Sequence, residues 1–120
     1  MVLAHLVISM LHGVAHTNAR VPLSPSASAF VYAVILAGPL IGLGLTWPLR
    51  RIGFELIALT MFGALVFGFL NHFVFPSPDH IAHVDLQWRS LFSTTAVLLA
   101  LTEALGFGLA VRLLREWRLS

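Results

Sequence analysis

The sequence contains no cysteine and no lysine. Without cysteine the chain has no disulfides, no thiolate ligands and no thiol catalysis, so a metal site must use histidine, carboxylate, methionine or backbone donors. All seven basic residues are arginines, and they are spread along the chain. Because they form no basic cluster, we expect no nucleic-acid partner. Charge of either sign is also scarce: 10% of residues are charged, against about 25% in a soluble domain.

Apolar residues take the place of the missing charge and make up 58% of the chain. Apolar runs of about 20 residues recur, which is the length needed to cross a bilayer. The first run lacks the basic start of a signal peptide and contains three histidines, so we expect it to be a short spanning helix. We predict an all-α polytopic membrane protein, a four-transmembrane-helix bundle in contact with the lipid bilayer. It forms a single domain over residues 1–120, with spans at about 2–18, 28–49, 52–75 and 88–114.

The arginines predict the orientation of this bundle. Arg50 and Arg51 lie between spans two and three, and three more arginines lie at the end of span four or just after it. Because arginine is concentrated on the cytoplasmic side, both termini should be cytoplasmic. The loops after spans one and three should then be extracytoplasmic, in a membrane of the bacterial inner-membrane type.

Span two contains the sequence GPLIGLG, from Gly38 to Gly44. Gly38 and Gly42 form a GxxxG pair, which allows another helix to approach closely. Pro39 removes one backbone hydrogen bond and should bend the helix. Packing is the simpler interpretation; the alternative is a broken helix that offers carbonyl groups to an ion.

Three of the six histidines lie on one face of span one. At about 100° per residue, His5, His12 and His16 fall within roughly 40° of one another. A polar stripe inside a membrane should face the bundle interior or a partner chain, because unsatisfied polar groups in lipid are costly. His12 and His16 are also four residues apart, so they could hold one metal ion together.

The stretch NHFVFPSPDHIAHVD, residues Asn71 to Asp85, supplies the other three histidines. The predicted topology places it at the same membrane face as the end of span one. Pro76 and Pro78 restrict the loop and so reduce the entropy it loses on ordering. We therefore predict an extracytoplasmic transition-metal site, with Cu(II) or Zn(II) favoured by nitrogen donors without sulfur. Its candidate residues are His12, His16, His72, His80, His83 and Asp79, with Asp85 as a further ligand or supporting carboxylate.

A buried carboxylate is predicted farther from this face. Glu103 lies about midway along span four, on a face with the small residues Ala96, Ala100, Gly106 and Ala110. Small residues mark a packed helix interface, so Glu103 should point into the bundle and need a partner. His5 lies at a similar depth and is the predicted partner. This pair could be a second station or a proton relay on a transport path, which in so thin a bundle would need an oligomer.

Several functions fit this pattern. A metal site could serve metal handling or a metal-dependent membrane enzyme, and the sequence does not separate the two. A b-type haem or another tetrapyrrole is an alternative cofactor, since His5, His12 or His72 could be an axial ligand. Acid–base catalysis without a cofactor would place His72 or His80 beside Asp79, near Ser77, Ser90 and Ser93, although no GxSxG motif is present. The chain could also be an accessory or structural subunit of a larger membrane complex, or a homo-oligomer.

Overall fold

The structure, a computed structural model, describes residues 1–119, so Ser120 of the predicted single domain lies outside the described residues. Helices account for 82% of the chain and no described residue lies in a strand, which confirms the all-α class. The four helices of this part are α1 (Val2–Asn18), α2 (Pro25–Leu45), α3 (Arg50–Val74) and α4 (Leu86–Leu119).

Three of these described helices, α2, α3 and α4, are long and apolar enough to cross a membrane. Helix α1 has 17 residues and is about 25 Å long, somewhat less than the roughly 30 Å of a bilayer's hydrocarbon core. The outer surfaces of the helices expose many large apolar side chains, among them Leu59, Leu101 and Leu105. So much exposed apolar surface suits contact with lipid rather than water.

The helix ends differ from the predicted bounds because local capping decides them. Helix α2 begins at Pro25 rather than near residue 28, since the Ser24 side chain accepts a hydrogen bond from the Ala27 backbone N–H at 3.1 Å. It ends at Leu45 rather than 49, before the turn that contains Pro48. Helix α4 begins at Leu86, where the Asp85 carboxylate accepts from the Gln87 N–H at 3.0 Å, and continues to Leu119.

The four described helices run alternately up and down. Val2 at the start of α1 packs with Ile57 and Ala110, whereas Ala15 near its end packs with Val84 and Phe92. We call the end with residues 19–24 and 75–85 the loop end, and the end with residues 46–49 the turn end. Each end holds an apolar cluster, and buried polar side chains lie between the two clusters: His5, His12, Thr60, His72, Thr95 and Glu103.

Close packing of α2 on α3 depends on glycine. A Cβ atom added at Gly38 would collide with the side chain of Thr60, and one at Gly42 would lie 2.7 Å from Ile57 Cγ1. On α3, a Cβ at Gly53 would lie 2.5 Å from the Thr46 backbone nitrogen and 2.7 Å from the Gly42 carbonyl oxygen. The helix that faces Gly38 and Gly42 is therefore α3 of the same chain, and Gly53 is a third glycine of the contact.

Within residues 1–119, two stretches of the helices are π-helical. The first, Val31–Ala37 in α2, directly precedes Gly38 and Pro39. The second, Leu70–Val74, ends α3 and contains His72. Its wider turn is closed by the Phe75 N–H, which donates to the Leu70 carbonyl at 2.8 Å. Short π-helical turns are rare and often occur at functional sites.

Candidate metal centre

Three histidines from two helices converge near the loop end. His12 and His16 lie one turn apart on α1, and His72 lies in the π-helical end of α3. One ring nitrogen from each lies within 4.8 Å of the other two. The ring centroid of His12 lies 4.8 Å from that of His72 and 4.9 Å from that of His16. We call this group the His triad.

The ring of His12 is oriented by Thr95 of α4. The Thr95 hydroxyl donates to the Leu91 carbonyl at 2.7 Å, so its oxygen must accept from the Nδ1–H of His12 at 2.8 Å. A neutral His12 with its proton on Nδ1 carries a lone pair on Nε2. Thr95 therefore determines which nitrogen of His12 is free to bind.

The ring of His72 is oriented in the same way by the loop. Its Nδ1–H donates to the backbone carbonyl of Asp79 at 3.0 Å, since a carbonyl can only accept. The free Nε2 of His72 then faces the free Nε2 of His12 at 3.2 Å. Two lone pairs at this distance repel each other unless a proton or a cation lies between them.

His16 completes the pattern. Its Nε2 lies 3.0 Å from Asp79 Oδ1, while its Nδ1 is buried without a hydrogen-bond partner. Two rings of the triad thus have Nδ1 hydrogen-bonded to an oxygen of the protein and Nε2 free, and the third has its Nε2 beside the Asp79 carboxylate. Metal-binding histidines are oriented in this way, because an oxygen that accepts from the second nitrogen fixes the tautomer and raises the basicity of the ligand atom.

The distances suit a tetrahedral ion. Zinc–nitrogen bonds of 2.0–2.1 Å at tetrahedral angles place two ligand nitrogens about 3.3 Å apart. The Nε2 atoms of His12 and His72 are 3.2 Å apart, so this edge of a coordination tetrahedron is already formed. The spread of 4.8 Å across the whole triad is wider, so the third ring must move inward when an ion binds.

Phe92 supports the triad from α4. Its fully buried ring lies 4.6 Å from His12, 4.9 Å from His16 and 5.3 Å from His72, measured between ring centroids. Neither Phe92 nor Thr95 was predicted from the sequence. The sequence did contain a usable signal for them. The helix face that carries Glu103, followed toward the loop end in steps of three and four residues, passes through Leu99, Ala96, Thr95 and Phe92.

The structure does not bring His80 and His83 into the triad. Their ring centroids lie 5.4 Å from each other, and both rings form hydrogen bonds within the loop. His80 Nδ1 accepts from the Ala82 N–H at 3.1 Å, and His83 Nδ1 donates to the Ser77 carbonyl at 2.7 Å. Asp85 caps α4 instead of approaching the histidines. Arg89 fastens the same loop by donating to the carbonyls of Ala82 and Val84.

Asp79 is the buried loop residue that joins two members of the triad. Its Oδ1 faces His16 Nε2 at 3.0 Å and His72 Nδ1 at 3.3 Å. Burial raises the pKa of the Asp79 carboxyl, but the two facing imidazoles outweigh this and hold the pKa below its usual range. The carboxylate is therefore ionised at neutral pH and can neutralise part of any positive charge that the triad takes up.

We expect Asp79→Asn to lower the free energy of unfolding of metal-free protein by about 3 kcal/mol at pH 7, because it removes one partner of a buried charged contact. A depressed folded-state pKa stabilises the protein above the unfolded pKa, about 3.9, and the effect is lost as pH falls toward the folded value. The stability difference between wild type and variant should thus persist down to about pH 4 and shrink below it. Denaturant unfolding across pH, in chelator, measures it; a constant difference down to pH 2 would contradict the assignment.

The triad opens into a cavity of about 730 Å³. It lies between α1 and α2, which contact each other little, and α3 and α4 form its floor. His12, His16 and His72 line one part of it, and Glu103 lines another. The carboxylate of Glu103 lies 3.1 Å from Nε2 of His5, and both side chains are buried. Glu103 of the predicted pair therefore lines the same cavity as the His triad.

A second carboxylate on a membrane-spanning helix, Glu55 of α3, is not among the residues that line this cavity. It accepts from Arg51 Nε at 2.8 Å, one turn away on the exposed face of α3.

Comparison of the chain with family models, with curated proteins and with solved structures finds no match in any of the three.

Proposed function

We propose that this chain is a small integral membrane protein that binds one divalent transition-metal ion at the His triad. One observation carries the proposal: three imidazoles, two of them held through Nδ1 by an oxygen of the protein, each place one ring nitrogen within 4.8 Å of the other two. In the metal-free state the facing Nε2 atoms of His12 and His72 need a proton between them, and Nδ1 of His16 is buried without a hydrogen-bond partner. A bound ion would give all three of these nitrogens a partner.

The donors favour Zn(II) or Cu(II). Imidazole nitrogen suits both ions, and no thiolate is present to favour softer ones. Asp79 then acts as the supporting carboxylate behind His16, the role that such groups commonly have in zinc sites. Its negative charge also lowers the cost of placing a divalent ion in a buried position.

The geometry favours a metal ion over haem with two histidine ligands. Such haem ligands lie on opposite faces of the porphyrin, whereas Nε2 atoms 3.2 Å apart can only take adjacent positions around an ion. A serine–histidine catalytic pair also lacks support. His83 binds the backbone carbonyl of Ser77, and the Ser77 hydroxyl is buried without a hydrogen-bond partner.

The arginines support the placement of the site in the membrane. Arg50, Arg51 and Arg112 lie toward the turn end, and at the loop end Arg89 is engaged by the loop backbone. With the turn end cytoplasmic, α1 would be a short fourth span, both termini would be cytoplasmic, and the triad would lie near the extracytoplasmic mouth. The expected setting is a membrane of the bacterial inner-membrane type.

Three protein ligands leave a tetrahedral ion with one open position, as in catalytic zinc sites, whereas structural sites are usually closed by four. Since the triad lines the cavity, the open position is accessible to a small molecule or to an exchanging ion. This supports a site that handles metal or uses it chemically over one that only stabilises the fold.

Metal content of detergent-purified protein tests the proposal. We expect about one zinc or copper ion per chain by elemental analysis, and ligand-field absorption bands of a tetrahedral nitrogen site after exchange with Co²⁺. A His80→Ala/His83→Ala variant is the matched control, because it removes two imidazoles outside the triad and should bind as the wild type does. Substoichiometric Zn, Cu, Fe and Ni, together with no Co²⁺ bands, would refute the proposal.

A further inference from the structure

The His5–Glu103 pair is the deepest polar contact between α1 and α4. Nε2 of His5 lies 3.1 Å from Oε1 of Glu103, and the two residues are only 1% and 3% exposed. His5 is seven residues before His12, about 10 Å along the helix. Ionisable residues at such a position are costly in a membrane and usually mark an ion or proton path.

One further polar residue of α1 lies between this pair and the triad. Ser9 lies one turn from His5 and close to one turn from His12, and it lines the same cavity as Glu103 and the triad. Its hydroxyl oxygen is buried and has no hydrogen-bond partner. Helix α1 therefore offers a nitrogen or oxygen donor at every turn from His16 to His5, and two of those donors lack partners: Ser9 Oγ and His16 Nδ1.

The polar path ends directly beyond the pair. Val2, Ile57, Ala58, Met61 and Ala110 form the apolar cluster at the turn end. Met61 packs against Gly106, one turn past Glu103, and its side chain is fully buried. In this conformation an ion could enter from the loop end and reach Glu103, but this apolar cluster would stop it there.

We propose that His5 and Glu103 form a second cation-binding station, which receives a divalent metal ion from the His triad during movement across the membrane. This rests on the proposed function of the triad. The imidazole nitrogen and carboxylate oxygen suit the same ions. With two strong donors against the triad's three, the second station binds more weakly, and this allows the ion to leave. Release toward the turn end requires the apolar cluster around Met61 to open.

The competing explanation is that the pair only fastens the short helix α1 to α4. Glu103→Gln separates the two roles, because glutamine keeps a hydrogen bond to His5 but removes the anionic ligand. His5→Gln is the reciprocal variant, and it keeps the experiment informative if the first variant does not fold. Thermal unfolding of each variant confirms that the helices remain packed.

Zn²⁺ is the probe, measured in two ways on the full chain. In detergent, titration of wild type should show a tight and a weaker site, and Glu103→Gln should retain only the tight one with unchanged affinity. In liposomes containing a trapped zinc indicator, wild type should take up Zn²⁺, while folded Glu103→Gln should match protein-free vesicles. His12→Ala provides the comparison in which the tight site is lost.

Each result has a distinct meaning. Loss of the weaker site and of uptake in Glu103→Gln, with the tight site intact, supports the second station. Wild-type uptake by that variant, or no uptake by wild type with its triad loaded, overturns the second station and leaves the triad proposal standing. Absence of any Zn²⁺ binding by wild type overturns both proposals.

Discussion

His12→Ala and His72→Ala should each abolish stoichiometric metal binding, whereas His16→Ala should only weaken it. His12 and His72 form the preorganised edge of the site, with Nε2 atoms 3.2 Å apart, and His16 must move inward to join them. Loss of a supporting partner typically costs about 10–100-fold in affinity, so loss of a ligand from the preformed edge should cost more. Zn²⁺ competition against a chelating indicator measures all three variants on one scale.

The loop histidines provide the control for this series. His80→Ala removes an imidazole from the same part of the chain but from outside the triad, so its Zn²⁺ affinity should equal that of wild type. Equal losses in His80→Ala and His12→Ala would place the ion in the loop and contradict the triad. Circular dichroism and thermal unfolding of every variant separate a lost ligand from a lost fold.

The sequence predicted an all-helical chain and the three histidines that come together, for clear physical reasons. Apolar runs separated by proline and arginine determine where helices lie, and α1 has its predicted bounds. The i, i+4 spacing of His12 and His16 places both side chains on one face of the helix, and this does not depend on which elements the helix packs against. His72 and Glu103 followed from alternating topology, which places residues at a common depth without long-range information.

The remainder depended on contacts that no local pattern encodes. His80 and His83 were expected to join the site because they are close to His72 in sequence, but their rings are directed by hydrogen bonds within the loop. Thr95 has a role only because α4 presents it to His12. Gly53 was missed because GxxxG draws attention to one helix, while the facing glycine on the partner helix has no motif of its own.

Gly53→Ala should destabilise the fold more than any other alanine substitution at a glycine of α3 or α4. The added Cβ would meet three backbone atoms at 2.5–2.8 Å: Thr46 N, Gly42 O and Leu45 C. Backbone atoms cannot move away by a change of rotamer as a side chain can, so α2 and α3 must separate along their contact. Overpacking commonly costs about 1–3 kcal/mol, and we expect this substitution to reach or exceed the upper value. Thermal unfolding in detergent, followed by size-exclusion chromatography, measures the loss.

Other glycines of the chain form a graded control series. At Gly108 a Cβ meets no heavy atom within 4 Å, so Gly108→Ala should unfold like wild type. At Gly63 the nearest atom would be 3.4 Å away, an ordinary contact, and the loss should be small. At Gly42 the closest atom is the movable Ile57 side chain, so that substitution should fall between Gly63→Ala and Gly53→Ala. If Gly53→Ala were as stable as Gly108→Ala, α2 and α3 could not be in backbone contact, and the cavity, which both helices line, would have a different shape.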